Sequence, residues 1–239
     1  MLKPISMQDA SAPMYIITGA SRGIGQYLMS HFAAKGHKVI GIYNSTKPAT
    51  LEEHCHQIDL TDEAAIMAFF QTIEPELKNV VLLNAAGITY NALAHKAELT
   101  AWRQVIDTNV VALFNLTKLL LPVMRQDNYG RIISFSSVVA QSGIVGTSAY
   151  AASKSALWGM AKAIAAENAI KNITINAINL GYFDIGMIDK VPANMLAGIV
   201  EKIPAKRLGR PEEIISAVEF MISNAYLNGT SVDLNGGLF

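Results

Sequence analysis

The sequence predicts an open α/β fold: a single domain built on a doubly wound, seven-stranded parallel sheet with helices on both faces. Three observations predict it. Short apolar runs alternate with longer segments of helical period along nearly the whole chain, as expected when crossover helices bury parallel strands on both faces. The composition, 51% apolar and 16% charged, supplies the apolar surface that such a two-sided core needs and is too apolar for a disordered chain. The length of 239 residues is within reach of one large domain, so no linker is needed.

The elements follow in order. Residues 1–13 show neither the charged nor the apolar block of a leader and read as a mobile arm; the domain is placed at 14–239. The first strand is expected at Met14–Thr18, then a glycine turn and a helix at 23–35. Strands at 38–43 and 55–58 precede a helix at 62–72, which Thr61 or Asp62 can cap, and a fourth strand at Val80–Asn84. A long helix is read over 101–124 with Thr100 as its cap, then a strand at 131–136 and a second long helix at 148–169. The sixth strand, 174–179, runs into an apolar segment at 183–205, read as a substrate lid with a helix at 193–202. Pro211, followed by Glu212 and Glu213, suits the first turn of a helix, because acids favour the positive end of the helix dipole. The last strand is expected at Ser231–Leu234.

Charge and composition narrow the function classes. Nineteen basic residues balance nineteen acidic ones, which disfavours a nucleic-acid or anionic-membrane partner. No unbroken apolar run reaches the length of a membrane span. Cys55, the one cysteine, reads as a packing thiol. The triplet His54-Cys55-His56 alternates sides along a strand, and the sequence places none of the further ligands a metal would need, so no metal site is expected. Trp102 and Trp158 are read as packing residues on the two long helices. A soluble, cytoplasmic protein is the expectation.

In an open sheet, ligands bind beyond the carboxyl ends of the strands where their order reverses. Directly after the first strand comes Thr18-Gly19-Ala20-Ser21-Arg22-Gly23-Ile24-Gly25. Glycine permits positive φ and close backbone approach, so this turn can offer free amides and a helix dipole to a pyrophosphate. Cofactor choice turns on the end of the second strand, where an acid would bind the 2′-hydroxyl of NAD and repel the 2′-phosphate of NADP. Here the stretch is Tyr43-Asn44-Ser45-Thr46-Lys47, without an acid, and Arg22 can add a charge-assisted bond to that phosphate. NADP(H) is therefore expected over NAD.

Tyr150 and Lys154, four residues apart in one helix, project from the same face. An ammonium beside a phenol favours the phenolate, tuning it to exchange a proton with an alkoxide. Ser137, at the end of the fifth strand, opens on the same crevice and can donate to a carbonyl oxygen as charge develops there.

From Met14 to the C-terminus the chain resembles the short-chain dehydrogenase/reductase family. The resemblance rests on 18–25, Asp59-Leu60, Asn84-Ala85-Ala86-Gly87, Asn109, Ser137, Tyr150-Ala-Ala-Ser-Lys154 and Asn235-Gly236-Gly237. Within it, Arg207-Leu-Gly-Arg-Pro-Glu-Glu213 and the length are most similar to bacterial 3-oxoacyl-acyl-carrier-protein reductases. The resemblance implies a Rossmann-like fold and a tetramer built partly from the two long helices. It implies catalytic roles for Ser137, Tyr150, Lys154 and Asn109, with Asn109 placing a water that relays protons to Lys154. It implies cofactor contacts from Gly19, Ser21, Arg22, Gly23, Ile24, Gly25, Asn44, Ser45, Asp59 (to adenine), Leu60, Asn84 to Gly87 (along the ribose), Tyr150, Lys154, Gly181 and Phe183. From the residues alone, Asn109 is a misfit inside a helix and Asp59 a residue approaching one.

Two positions depart from the family pattern: Leu180 precedes Gly181 where proline is usual, and Ile185 stands where a threonine usually meets the carboxamide. A carrier protein is acidic, and Lys171 matches one basic docking position of the related reductases, whereas the other is Asn128, with Arg125 and Arg131 near it in sequence. The leading expectation is reduction of a 3-oxoacyl thioester on acyl carrier protein or coenzyme A with NADPH. Alternatives are a reductase or dehydrogenase of free ketones, sugars or secondary alcohols, and a sensor or scaffold that binds NADP without chemistry.

Overall fold

A computed structural model of the chain describes residues 12–186, 188 and 191–239. The expected arm at 1–13 lies mostly outside the described residues, as do three positions of the expected lid. The elements run β1 (Met14–Thr18), α1 (Gly23–Ala34), β2 (Val39–Tyr43), β3 (Cys55–Gln57), α2 (Glu63–Ile73), β4 (Val80–Asn84), α3 (Leu99–Ile106), α4 (Ala112–Asp127), β5 (Gly130–Ser137), α5 (Val139–Ser142), α6 (Ser148–Asn168), β6 (Ile173–Leu180), α7 (Ala193–Lys202), α8 (Pro211–Ser223) and β7 (Ser231–Leu234). The seven strands form one sheet in the order β3-β2-β1-β4-β5-β6-β7, and every pairing is parallel. The chain reverses direction across the sheet between β1 and β4, where Thr18 pairs with Asn84.

The alternation of side chains along each strand makes two cores. Ile16, Leu82 and Ile132 face Leu113, Leu116, Leu120 and Leu157 of α4 and α6. Tyr15, Ile17, Leu83 and Ile133 face Leu28, Phe32 of α1 and Ile214, Val218 of α8. All but one of these are at most 1% exposed; Tyr15 is 3% exposed, so the strands had to be apolar throughout rather than alternating.

Helix ends correct some expectations. Asp62, not Thr61, caps α2, its carboxylate accepting from the Ala65 amide at 2.9 Å. Thr100 does not cap α3; the helix starts at Leu99 behind Glu98. The expected long helix 101–124 is interrupted at Asp107–Val111 by a π-helical turn. The whole run Leu99–Asp127 is long and apolar enough, by length and composition alone, to cross a membrane, which a search for unbroken apolar stretches passes over. It lies flat on the sheet, with Leu113, Leu116 and Leu120 in the core. At α8, Pro211 occupies the first turn, and the Glu213 carboxylate accepts from the Arg210 amide at 2.7 Å. Arg207, paired with Glu213 at 2.7 Å, is the main reason that this carboxyl is held down at about 2.

Candidate active site

The crevice is assembled from residues just past the carboxyl ends of β1, β4, β5 and β6. In the glycine turn, Gly19 and Gly23 have φ of +69° and +54°, a region that L side chains rarely adopt. A Cβ on Gly19 would come within 2.9 Å of the Ala86 backbone, and one on Gly25 would overlap the Gly19 carbonyl oxygen. The turn therefore admits only glycine at Gly19 and Gly25, and it is tied to the segment after β4 by the Ala86 amide, which donates to Thr18 Oγ1 at 3.0 Å. Ser21 and Ile24 line the turn half-buried, and the Arg22 side chain is exposed, with no ion-pair partner among the described residues. Asn44 and Ser45 lie exposed just beyond β2, and Lys47 beside them pairs with Glu52 at 2.6 Å.

Asp59 follows β3 on the same edge. One of its carboxylate oxygens accepts from the Thr61 amide at 2.9 Å and hydroxyl at 2.7 Å, so it is the approach to α2 that its residue type suggested. Leu60 is buried in the core. Asn84 is fully buried, its amide donating to Ser134 Oγ at 3.3 Å, so its side chain braces β4 against β5, and its Oδ1 has no partner among the described residues. Ala85, Ala86 and Gly87 lie half-buried or exposed beyond it.

Ser137 ends β5, and its Oγ accepts from the Val139 amide at 3.2 Å. That leaves the hydroxyl proton for the crevice, where Ser137 is close enough to Tyr150 to favour its phenolate. The Lys154 Nζ lies 5.5 Å from the Tyr150 ring centre and donates to the Phe135 carbonyl at 2.7 Å. Lys154 is held from behind as well, because Ser136 Oγ donates to its carbonyl at 2.9 Å. Burial acts on both groups: it pushes the Tyr150 phenol up to about 12, against the pull of Ser137, and brings the Lys154 ammonium down to about 8. For the phenol, desolvation by burial outweighs the pull of Ser137.

Asn109 occupies the π-helical turn, an irregularity frequent at functional sites. Fully buried, it accepts from the Ile88 amide at 2.8 Å and donates to the Ile88 carbonyl at 2.9 Å and Ser153 Oγ at 3.0 Å. It so locks the segment after β4 to α6 one residue before Lys154. A Cβ on Gly87 would lie 3.3 Å from Lys154 Nζ and 3.4 Å from Asn109 Oδ1, so Gly87, Lys154 and Asn109 converge. Ser153 escaped the sequence reading; its one signal was its place beside Lys154 on the buried face.

Beyond β6, a Cβ on Gly181 would meet Asn235 at 2.7 Å, and Phe183 is buried, its ring over Gly209. Ile185 packs partly into the core and borders a hollow with Gly23, Gln26, Tyr27 and Ser30. Gly186 lies against Gly23, where a Cβ would come within 3.1 Å of it. The start of the expected lid therefore crosses the glycine turn, a contact that sequence spacing could not show.

The positions considered for carrier docking fall elsewhere. Lys171, Asn128 and Arg125 stand before β6 and β5, at the end of the sheet opposite Ser137. Arg131 is 5% exposed, its guanidinium donating to the carbonyls of Ile222, Gly130 and Asn172, so it cannot greet a partner. Among the described residues no group of histidine, cysteine and acids could hold a metal.

Comparison with known proteins shows the family. The family model described as short chain dehydrogenase matches residues 13–196. The 3-oxoacyl-[acyl-carrier-protein] reductase FabG of Escherichia coli K12 is 36% identical, over 94% of this chain and 96% of that enzyme. The acetoacetyl-CoA reductase of Shinella zoogloeoides is also 36% identical, over 94% and 97%. A crystal structure assigned as a gluconate dehydrogenase from Agrobacterium tumefaciens superposes with a TM-score of 0.87 at 26% identity, covering 96% of this chain and 97% of that one.

Proposed function

Because the chain belongs to the short-chain dehydrogenase family, and is an oxidoreductase by that membership, we propose that it reduces a 3-oxoacyl thioester to the 3-hydroxyacyl form with NADPH. The observation that carries the reading is that the Ser137 hydroxyl lies close enough to the buried Tyr150 phenol to pull it down, with the buried Lys154 one helical turn behind. The names of the FabG and acetoacetyl-CoA reductase relatives support the acyl thioester as substrate.

A nicotinamide dinucleotide fits these residues. The glycine turn is the kind of backbone that lets a pyrophosphate approach the start of α1, and Arg22, without an ion-pair partner among the described residues, suits a 2′-phosphate together with exposed Asn44 and Ser45. Asp59 and Leu60 would flank the adenine, Ala85 to Gly87 the ribose, and Gly181 and Phe183 the nicotinamide end. When bound, the reduced cofactor supplies a hydride to the carbonyl carbon. Ser137 then donates to the carbonyl oxygen and holds it beside Tyr150, whose phenol delivers the proton. A phenol at about 12 is fully protonated at neutral pH, which suits an acid in the reductive direction. Lys154 would hold the ribose and, while charged, stabilise the phenolate left behind. Asn109 would anchor the water path that returns the proton.

Val111 and Phe114, 47% and 46% exposed on the Leu99–Asp127 run, support assembly through the long helices into a homotetramer. Such assembly would also decide whether Lys171 borders a neighbouring crevice, where an acidic carrier protein could dock. The reading places the enzyme in the cytoplasm.

The fold likeness to a gluconate dehydrogenase favours a second reading, oxidation or reduction of a sugar acid. Initial rates with acetoacetyl thioesters of coenzyme A and of acyl carrier protein, set against simple ketones and gluconate, each with NADPH and NADH, separate the two. Thioester turnover with NADPH is the expected result; turnover of gluconate alone would reject the acyl reading.

A further inference from the structure

Four polar side chains outside the catalytic set form one hydrogen-bonded chain across the last two strands. Trp158 Nε1 donates to Asn179 Oδ1 at 2.8 Å, and Asn179 Nδ2 donates to Asp233 Oδ1 at 2.6 Å. The same Asp233 oxygen accepts from Gln141 Nε2 at 3.1 Å. Asn179 and Asp233 face each other in the β6–β7 register; Asn179 is 1% exposed, so its amide depends on these partners.

The two ends of this chain lie on the two elements that carry the reacting groups. Trp158 follows Tyr150 and Lys154 at four-residue intervals along one face of α6. Gln141 belongs to α5, the single turn whose first amide, at Val139, holds Ser137 Oγ. α5 is too short to hold its own shape. Its base is fixed where the Val138 amide donates to the Leu180 carbonyl at 3.0 Å, and its far end by Gln141 and by a long bond from Ser155 Oγ to the Ala140 carbonyl, at 3.3 Å. We propose that Asp233 is a positioning residue for the reduction: through Gln141 on one side and Asn179–Trp158 on the other, it fixes α5 relative to α6 and so keeps the Ser137 hydroxyl aligned on Tyr150. Asp233 touches neither substrate nor cofactor in this role. The inference rests on the reductase reading for its kinetic consequence, not for its structural one.

Asp233→Leu removes the acceptor and Asp233→Asn keeps it. Expected for Asp233→Leu is a loss of about tenfold in kcat, a misalignment of modest energy, with KM for NADPH unchanged and faster amide exchange over 139–142. Asp233→Asn should retain most of kcat. Gln141→Leu, which leaves the buried Asn179 pair intact, should reproduce the loss, and the double variant should lose no more than either alone. Should Asp233→Leu fail to fold, Gln141→Leu decides. Wild-type kcat and wild-type exchange in folded Gln141→Leu, or equal losses in Asp233→Asn and Asp233→Leu, overturn the proposal. Amide exchange needs no substrate, so it still decides the coupling if no thioester is turned over and the reductase reading fails.

Discussion

The two ends of the crevice are built on opposite principles. At the hydride-transfer end, Tyr150, Lys154 and Asn109 are buried, and Lys154 and Asn109 are each fastened to backbone or to neighbouring side chains. At the end past β2, where the 2′ position of the cofactor is expected, Arg22, Asn44 and Ser45 are all exposed. Burial makes the first end rigid and shifts its proton affinities, at the cost of desolvating an ammonium. The second end is exposed and screened by solvent. On the proposed reading, chemistry is encoded where a change is costly, and cofactor choice where a change is cheap.

Tyr150→Phe gives the sharpest contrast between the ends. Removing the hydroxyl removes the proposed proton donor while keeping the ring in its packed place. A general acid contributes on the order of a hundred- to ten-thousandfold, so kcat should fall by about a thousandfold, with the dissociation constant for NADPH, measured by fluorescence titration, little changed. A folded variant with kcat within a few-fold of wild type would remove Tyr150 from the reaction.

A pH profile probes the same end with a smaller effect. The free-enzyme phenol stays protonated up to about 12, whereas Lys154 loses its charge as pH rises through about 8. In the reductive direction the alkaline limb of kcat/KM for NADPH should therefore belong to the amine: level below about pH 8, then falling roughly tenfold for each further unit. The stability contribution has the opposite sense. Because the folded value of Lys154 lies below its ordinary one, the folded state is penalised while the buried ammonium is charged, and the penalty fades as pH rises from about 8 towards 10. A kinetic limb beginning only above pH 10 would mean that the ammonium is not needed.

The sequence made the rigid end more legible than its supports. Seven apolar runs located seven strands because strands covered on both faces leave no polar alternation to confuse the reading. Ser137, Tyr150 and Lys154 were legible because each sits at a fixed offset from a strand end or helix face. The supports were not. α5 is four residues long, below any detectable period. In the π-helical turn Asn109 bonds to Ile88 and Ser153, 21 and 44 residues away, and nothing local announces these partners. Trp158, read as a packing residue, donates to Asn179, and Gln141 and Asp233 meet across 92 residues of chain. Long-range polar pairs follow from topology, and one sequence records only their members.

The exposed end supplies the smallest of these effects and the test that bears most directly on cofactor choice. Arg22 stands at the start of α1 with extended backbone, φ −160° and ψ 165°, and its guanidinium has no ion-pair partner among the described residues. A charge-assisted bond to a phosphate contributes roughly 1.5–3 kcal/mol, less where solvent screens it. Arg22→Ala should accordingly raise KM for NADPH by about tenfold while leaving KM for NADH and kcat with either cofactor nearly unchanged. The effect should shrink as salt rises from 50 to 500 mM, because an exposed pair is screened within about a Debye length. Equal changes for both cofactors would assign Arg22 to the pyrophosphate rather than the 2′-phosphate, and discrimination would then have to come from Asn44, Ser45 and Lys47.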